Sequence, residues 1–398
     1  MGGPIELKAV KGVRNDISLE RFELEDLAVG NNIDLDEKGK IFRRLGTGRI
    51  VAGVMHSLKA FTNTALVVSN GVLSVVNAAG TLLALATGIV ARLSYTEIVD
   101  SIFWTDGVST GAISQGANRP WGIVVPALPA VTVGAGDLAA GTYLYTTTYS
   151  RSTGLESGAP PVGLVTVPAN SSLSFAVAAS ADPLAQSINI YVSSVNGELS
   201  YLSAIVANAT QAVKVAALPE QSVPLRTSLM GPPPAGQLLG YYNGRAYVGK
   251  GRFLWYSQPY EYELFDLVNG YLAFQAELKT FAPVASGIYL GTATETMYLD
   301  GADPSEFVRK QVAPYGTVLG TEFYVRNDLL INENAELTRH PGMTPVWMSQ
   351  TGLCLGLEGG AMQNLTSDRF VIPSVLAEGA SLLKIRSGTP QLVSTIYS

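Results

Sequence analysis

Residues 244–267 read GRAYVGKGRFLWYSQPYEYELFDL. Tyr247 and Val248 predict a short apolar strand, Gly249 to Gly251 a tight turn, and the alternating Phe253, Trp255 and Ser257 a return strand, so the stretch predicts a β-hairpin. Gln258-Pro259 ends it, because proline has no N–H to give to a ladder. Tyr260, Tyr262, Leu264 and Phe265 follow as a second apolar patch.

The same punctuation recurs along the chain. Asn-Gly or Asp-Gly, the strongest short-range hairpin signals because both residues tolerate positive φ, occurs at Asn70-Gly71, Asp106-Gly107, Asn196-Gly197, Asn243-Gly244, Asn269-Gly270 and Asp300-Gly301. Most sit against apolar or aromatic runs, and no helical period is sustained over a dozen residues. Sheet is therefore expected nearly throughout.

Between Trp121-Gly122 and about Arg226 the texture changes. Tyr143, Tyr145, Thr147 and Tyr149 alternate with Thr142, Leu144, Thr146 and Thr148, and Ile188, Ile190 and Val192 repeat the pattern. Short strands with turn signals every 8 to 12 residues or so predict a fibronectin-like or immunoglobulin-like sandwich, left through the stiff Pro232-Pro233-Pro234. Asp106 and Asn243 lie 137 positions apart; with about 100 residues of module set aside, the interval approaches the 36 between Asn70 and Asp106. Propeller blades repeat at roughly 40–50 residues. The expected fold is thus all-β: a β-propeller-like domain with an inserted fibronectin III/immunoglobulin-like β-sandwich, divided 1–126, 127–230 and 231–398.

Composition narrows the function classes. The chain has 398 residues, 47% hydrophobic and only 15% charged, with a net charge of −6. So little charge suits large protein-facing surfaces, and the acidic balance disfavours a stable grip on nucleic-acid phosphates. Cys354 is the single cysteine, so no intrachain disulfide can form, and its Gly-Leu flanks predict a buried strand thiol. The N-terminal MGGPIELKAVKG lacks the apolar core of a secretory signal. Phe61 to Ala91 carries no charge, but Asn63, Asn70-Gly71, Asn77, Gly80 and Gly88 interrupt it, so strands and turns are expected rather than a membrane-spanning segment.

Motifs of chemistry are sparse. Gly107-Val108-Ser109-Thr110-Gly111 spells a hydrolase nucleophile elbow, yet GAISQGANRPWG follows where a helix is required. His56 and His340 are the only histidines; neither lies in a recognisable triad context, and two are too few for a metal cage. Asp34, Asp36 and Gly39 imitate a calcium loop, but Lys38 and Leu45 occupy ligand positions. Gly134-Ala135-Gly136 lacks the third glycine of a dinucleotide fingerprint, and no phosphate-binding P-loop occurs. Asp300, Asp303 and Glu306 read as turn residues, and Tyr241-Tyr242, Trp255 and Tyr256 as core or subunit contacts. No catalytic, cofactor-binding or metal residue is assigned, no cofactor is expected, and the chain is not expected to be an enzyme.

Several phrases carry a family resemblance. The order apolar strand, turn, F-x-W-x-S-x-P, aromatics, F-D over Tyr247–Asp266 resembles a blade segment of β-propeller proteins in tailed-bacteriophage tails. The opening Gly30-Asn31-Asn32-Ile33-Asp34-Leu35-Asp36 with Arg43-Arg44 and Gly46 resembles their N-terminal segment. MYLDGADPSEF over 297–307 resembles another blade, and 344–370, with Trp347, Ser349, Gly352 and Asn364-Leu365-Thr366, a last one. Phe323-Tyr324-Val325 and Leu329-Leu330-Ile331 read as one hairpin, and Ser374 to Ser398 as a terminal strand pair.

The resemblance implies a structural component of a short-tailed phage tail, the nozzle or hub. It implies a homo-oligomeric ring, commonly of six copies, around the channel through which double-stranded DNA leaves without specific binding. Tail tube or adaptor proteins and tail fibres would be its partners. The implied location is the virion tail, after assembly in the host cytoplasm. The alternative is a receptor-binding tail protein that binds or cleaves glycans.

Overall fold

The computed structural model describes residues 10–36, 38–44, 46, 48, 50–220, 222–330, 342–366, 369–372, 378–386 and 389–397. Among them every regular element is a strand or a short 3₁₀ turn. The chain forms two compact units, Met1–Gly88 with Phe274–Ser398, and Ile89–Ala273. No helix of the described residues is long and apolar enough to cross a membrane.

The repeating element is a four-stranded antiparallel meander in strict chain order. The first unit holds three: Met55–Ala60 to Leu82–Thr87, Leu278–Val284 to Val308–Ala313, and Phe323–Arg326 to Met362–Asn364. In the second unit Ser94–Ile98, Ser101–Thr105, Thr110–Ser114 and Ala117–Arg119 form another; a six-stranded sheet there departs from strict chain order, with Leu238–Tyr242 to Glu261–Asp266 as a meander, Met230–Gly231 on its edge and Tyr271–Ala273 paired with Phe253–Gln258. Serial small meanders joined by short turns are the propeller-like class the hairpin spacing predicted.

Two of the predicted turns adopt the mirror-image geometry that a two-residue hairpin needs: Asn70-Gly71 (φ 51° and 77°) and Asn243-Gly244 (42° and 79°). Asp106 works differently, its carboxylate accepting the N–H groups of Val108 (3.0 Å) and Ser109 (2.6 Å) in a longer loop. The signal also missed one: Gln115-Gly116 turns with φ 51° and 77°.

In the 244–267 stretch the hairpin pairs Arg245–Lys250 with Phe253–Gln258, so the turn lies at Gly251-Arg252, not Gly249–Gly251. Gly249 stays in the ladder, paired with Leu238 and Leu254, and a Cβ there would stand 3.0 Å from that of Leu238. Ser257 is buried and functions as a backbone clip. Its hydroxyl accepts the Ala246 N–H at 3.0 Å and donates to the Gln258 carbonyl at 2.9 Å. A second expectation also shifts. Phe323–Arg326 pairs with Met343–Ser349, and the Asn327 N–H donates to the Gly342 carbonyl; Leu329 ends the 3₁₀ turn Asn327–Leu329, and Ile331 of the expected hairpin lies outside the described residues.

The sandwich lies in the second unit. Ala130–Leu138, Ser171–Val177 and Gln211–Val215 form one sheet; Gly163–Val167, Gly141–Arg151, Ala185–Ser193 and Ser200–Ala207 form the other. Tyr143, Tyr145 and Tyr149 fill the space between them with Leu173, Phe175 and Ile188. On the opposite face of Gly141–Arg151, Thr146 and Thr148 are buried too. Segment 155–160 covers this face, and the Glu156 carboxylate accepts from Thr148, Asn189 (2.9 Å) and Tyr191 (2.8 Å). Burial and this carboxylate push the Tyr191 phenol well up.

In the first unit an N-terminal segment is tied to the segment 369–372. Asn15 donates its backbone N–H to the Arg369 carbonyl and its side-chain amide to the Val371 carbonyl, both at 2.9 Å. The buried Asp26 carboxylate meets Arg369 at 2.7 Å and Arg14 at 3.3 Å. Burial opposes its ionisation, but the Glu23 N–H and the two guanidiniums outweigh burial and hold the carboxyl below the usual carboxylate range. A depressed folded-state pKa means this tie contributes fully above the unfolded value, about 4, and is lost as pH falls beneath it. The protection factors of the Asn15 and Val371 amides, that is, exchange relative to the intrinsic rate at each pH, are expected to fall on acidification from pH 6 to 3, and Asp26→Asn to remove that dependence. Unchanged protection across the range would disprove the role of Asp26.

Further along, Glu378–Arg386 and Thr389–Tyr397 pair over their full length, while 373–377 and Ser398 lie outside the described residues. Cys354 is fully buried in Gly352–Gly356, its thiol pushed up by burial. Native Cys354 is expected to react with a thiol reagent at least about 100-fold slower than the denatured chain. Comparable rates would place it at the surface.

Candidate functional site: an aromatic and acidic cleft

The residues singled out by motif do not converge. Ser109 sits in a strand-to-strand loop, with Thr110–Ser114 a strand where an elbow needs a helix, and Gly111 is packed beneath the Trp104 ring. His56 is half-buried in Met55–Ala60, 2.9 Å from the Ser57 hydroxyl, with desolvation lowering its pKa. His340 lies outside the described residues, as do Glu37 and Leu45. Asp36 accepts the N–H groups of Lys38 and Lys40, and Asp34 pairs with Arg44, so these carboxylates close a turn. Asp300 pairs with Lys310 at 2.5 Å, and Asp303 caps the Ser305 N–H. Among the described residues no group of three or more His, Cys, Asp or Glu is placed to hold a metal ion.

What does converge lies inside the second unit. An open cleft of about 510 Å³ is bounded by the turn Ile98–Ser101, by Thr153–Leu155 at the end of a sandwich strand, and by Tyr260–Glu263. Phe103 lies at its apolar side, in the cluster that contains Trp121 and Phe265. Trp121 anchors the wall: its indole N–H donates to the Tyr262 carbonyl at 2.9 Å and its ring lies 4.8 Å from that of Phe103.

One side of the cleft is a buried ionic chain. Arg151 donates to Asp182 (2.7 and 2.9 Å) and to Glu263 (2.8 Å), and Glu263 also pairs with Arg119 at 2.5 Å. Glu263 further accepts the Gly122 N–H at 3.1 Å. Two arginines therefore neutralise this carboxylate. The rim differs: the Asp100 and Glu261 carboxylates line it with neither a hydrogen bond nor an ion pair among the described residues.

Two rim residues are in left-handed backbone. Val99 (φ 53°) and Tyr260 (φ 60°) are β-branched and aromatic, types for which this region is strained, and they are 78% and 76% exposed. The Tyr260 N–H donates to the Gly244 carbonyl at 2.7 Å and its ring lies 3.0 Å from where a Cβ of Gly244 would be, so that glycine admits the ring. Tyr262 stands edge-on to Tyr241 at 5.9 Å; burial, then Tyr241, push its phenol up. Of the cleft, the sequence had marked only the tyrosines. A β-branched residue between Ile98 and Asp100, where two strands needed a two-residue turn, was the signal available for Val99.

No family model matches the chain. No curated protein matches it either. Among solved structures it is similar to the AfRom2 CNH domain, at 10% identity and TM-score 0.24 over 83% of this chain and 92% of that one. It is also similar to the extracellular domain of the putative hybrid two-component system BT4673 from B. thetaiotaomicron, at 11% identity and TM-score 0.24 over 87% of this chain and 58% of that one.

Proposed function

We propose that this chain is a structural subunit of a bacteriophage tail, of the nozzle or hub kind, several copies of which form a ring around the channel for genomic DNA. The observation that carries the reading is apolar surface without an intrachain partner. Leu19, Leu24, Val29, Ile50, Val54 and Leu58, all in the N-terminal part of the first unit, are 63–76% exposed. A solitary soluble chain rarely leaves so many large apolar side chains along one segment in water; burial against neighbouring copies removes that cost. The edge strand Leu82–Thr87 adds to this, since it has no charge and no proline to discourage pairing, while Val308–Ala313 carries Arg309 and Lys310. The net charge of −6 suits a wall that a duplex slides past without being held.

The test is negative-stain imaging and mass determination of the purified chain, alone and mixed with tail proteins of the same particle. A closed ring of about six copies, with an opening wider than the ~20 Å of a duplex, is expected. A monomer in both samples would rule the ring out, and one that bound or shortened host polysaccharide would point to the receptor-binding alternative.

A further inference from the structure

The rim of the cleft repeats one arrangement twice. Val99-Asp100 and Tyr260-Glu261, both lining it, each place an exposed apolar side chain in left-handed backbone directly before a carboxylate without a partner among the described residues. Each apolar member is unfavourable on two counts, since its backbone is strained and its side chain stands in water. The carboxylates add local negative charge, and no lysine, arginine or histidine lines the cleft to balance it. The one carboxylate that is balanced, Glu263, already has its arginines.

An occupant that relieves all of this has an apolar stem and a cationic end. Arginine and lysine side chains are built that way, with a methylene stem that covers apolar surface and a cation that suits both a tyrosine face and a carboxylate. We infer that this cleft is a docking site for an arginine- or lysine-bearing extended segment of a partner protein, its methylenes on Val99 and Tyr260 and its cations on Asp100 and Glu261. Charge complementarity selects this occupant over an acidic or phosphorylated one, which the unpaired carboxylates repel. About 510 Å³ accommodates a few residues of extended chain rather than a folded domain. The site shares no residue with the apolar side chains on which the ring reading rests, which belong to the first unit, while every residue that lines the cleft belongs to the second.

The probe is a fluorescent hexapeptide with two arginines, titrated by anisotropy against the full chain at 50 and 300 mM salt. The controls are the same peptide with neutral citrulline for arginine, and a neutral trisaccharide. Saturable binding of the arginine peptide, weaker at high salt and about tenfold weaker with citrulline, is expected. Asp100→Asn with Glu261→Gln should erase that preference while leaving the thermal midpoint unchanged, since neither carboxylate has an intrachain partner. Val99→Asn and Tyr260→Asn suit left-handed backbone, and each should weaken binding while raising the thermal midpoint by about 2–4 °C. Equal binding of arginine and citrulline peptides, no saturable binding up to millimolar peptide, or unchanged affinity in the carboxylate variant overturns the inference. Binding of the trisaccharide alone would reassign the cleft to a glycan.

Discussion

Replacing Arg151 by methionine is expected to lower the stability of the second unit by about 3–5 kcal/mol, the range found when one member of a buried ion pair is removed. Arg151 is the last residue of the sandwich strand Gly141–Arg151, and its side chain is 5% exposed. Methionine fills much of its volume but leaves Asp182, whose side chain is 4% exposed, without the guanidinium that donates to it twice. Glu263 loses one of its two arginines and keeps Arg119. Most of the loss therefore comes from the Asp182 carboxylate. The double variant Arg151→Met with Asp182→Leu should recover a large part of it, because exchanging a whole buried pair for apolar groups is often close to neutral. Urea denaturation followed by tyrosine and tryptophan fluorescence would read both. A loss below about 1 kcal/mol for the single variant would mean that water reaches Asp182 and that the chain Asp182–Arg151–Glu263 does not tie the sandwich to the strand Glu261–Asp266.

Trp347→Ala should cost the first unit a similar amount, about 3–5 kcal/mol, by the ordinary cost of emptying a large core site. Trp347 is fully buried in Met343–Ser349, with its ring 5.3 Å from Tyr289, and Gly356 lies so close that a Cβ there would stand 2.9 Å from the indole. Phenylalanine should behave quite differently. The indole N–H has no hydrogen-bond partner among the described residues, so Trp347→Phe removes a buried unsatisfied donor along with some volume. The two effects oppose each other, and a loss of roughly 1–2 kcal/mol is expected. Thermal and urea unfolding of the two variants decide the matter. If phenylalanine proved as costly as alanine, the indole N–H would have to be bonded in solution.

Strand after strand was readable because hairpins are local. Asn70-Gly71 and Asn243-Gly244 turn where their φ preference says they should, and the Tyr143–Tyr149 alternation marks the face that fills the sandwich. Errors came where a residue some distance along the chain intervened. Gly249 pairs with Leu238 on one side and Leu254 on the other, so the turn falls at Gly251-Arg252, and segment 155–160 packs over the threonine face of Gly141–Arg151. The cleft was nearly invisible for the same reason. Asp100, Leu155 and Glu261 are separated by over 160 positions from first to last, and no spacing rule brings them together.

By itself the sequence determined the class of structure: period-two alternation, turn residues with positive φ and the absence of a helical period leave only sheets, because those preferences act within a few residues. It also set the low charge and the single thiol, which are matters of composition. Only the tertiary structure decided which carboxylates are neutralised and which are left open. Glu263 finds Arg119 and Arg151, while the carboxylates of Asp100 and Glu261, on the same cleft, find no partner among the described residues. An ion pair requires approach to within a few ångströms, and for residues more than a hundred positions apart only the packing of the sheets sets that distance.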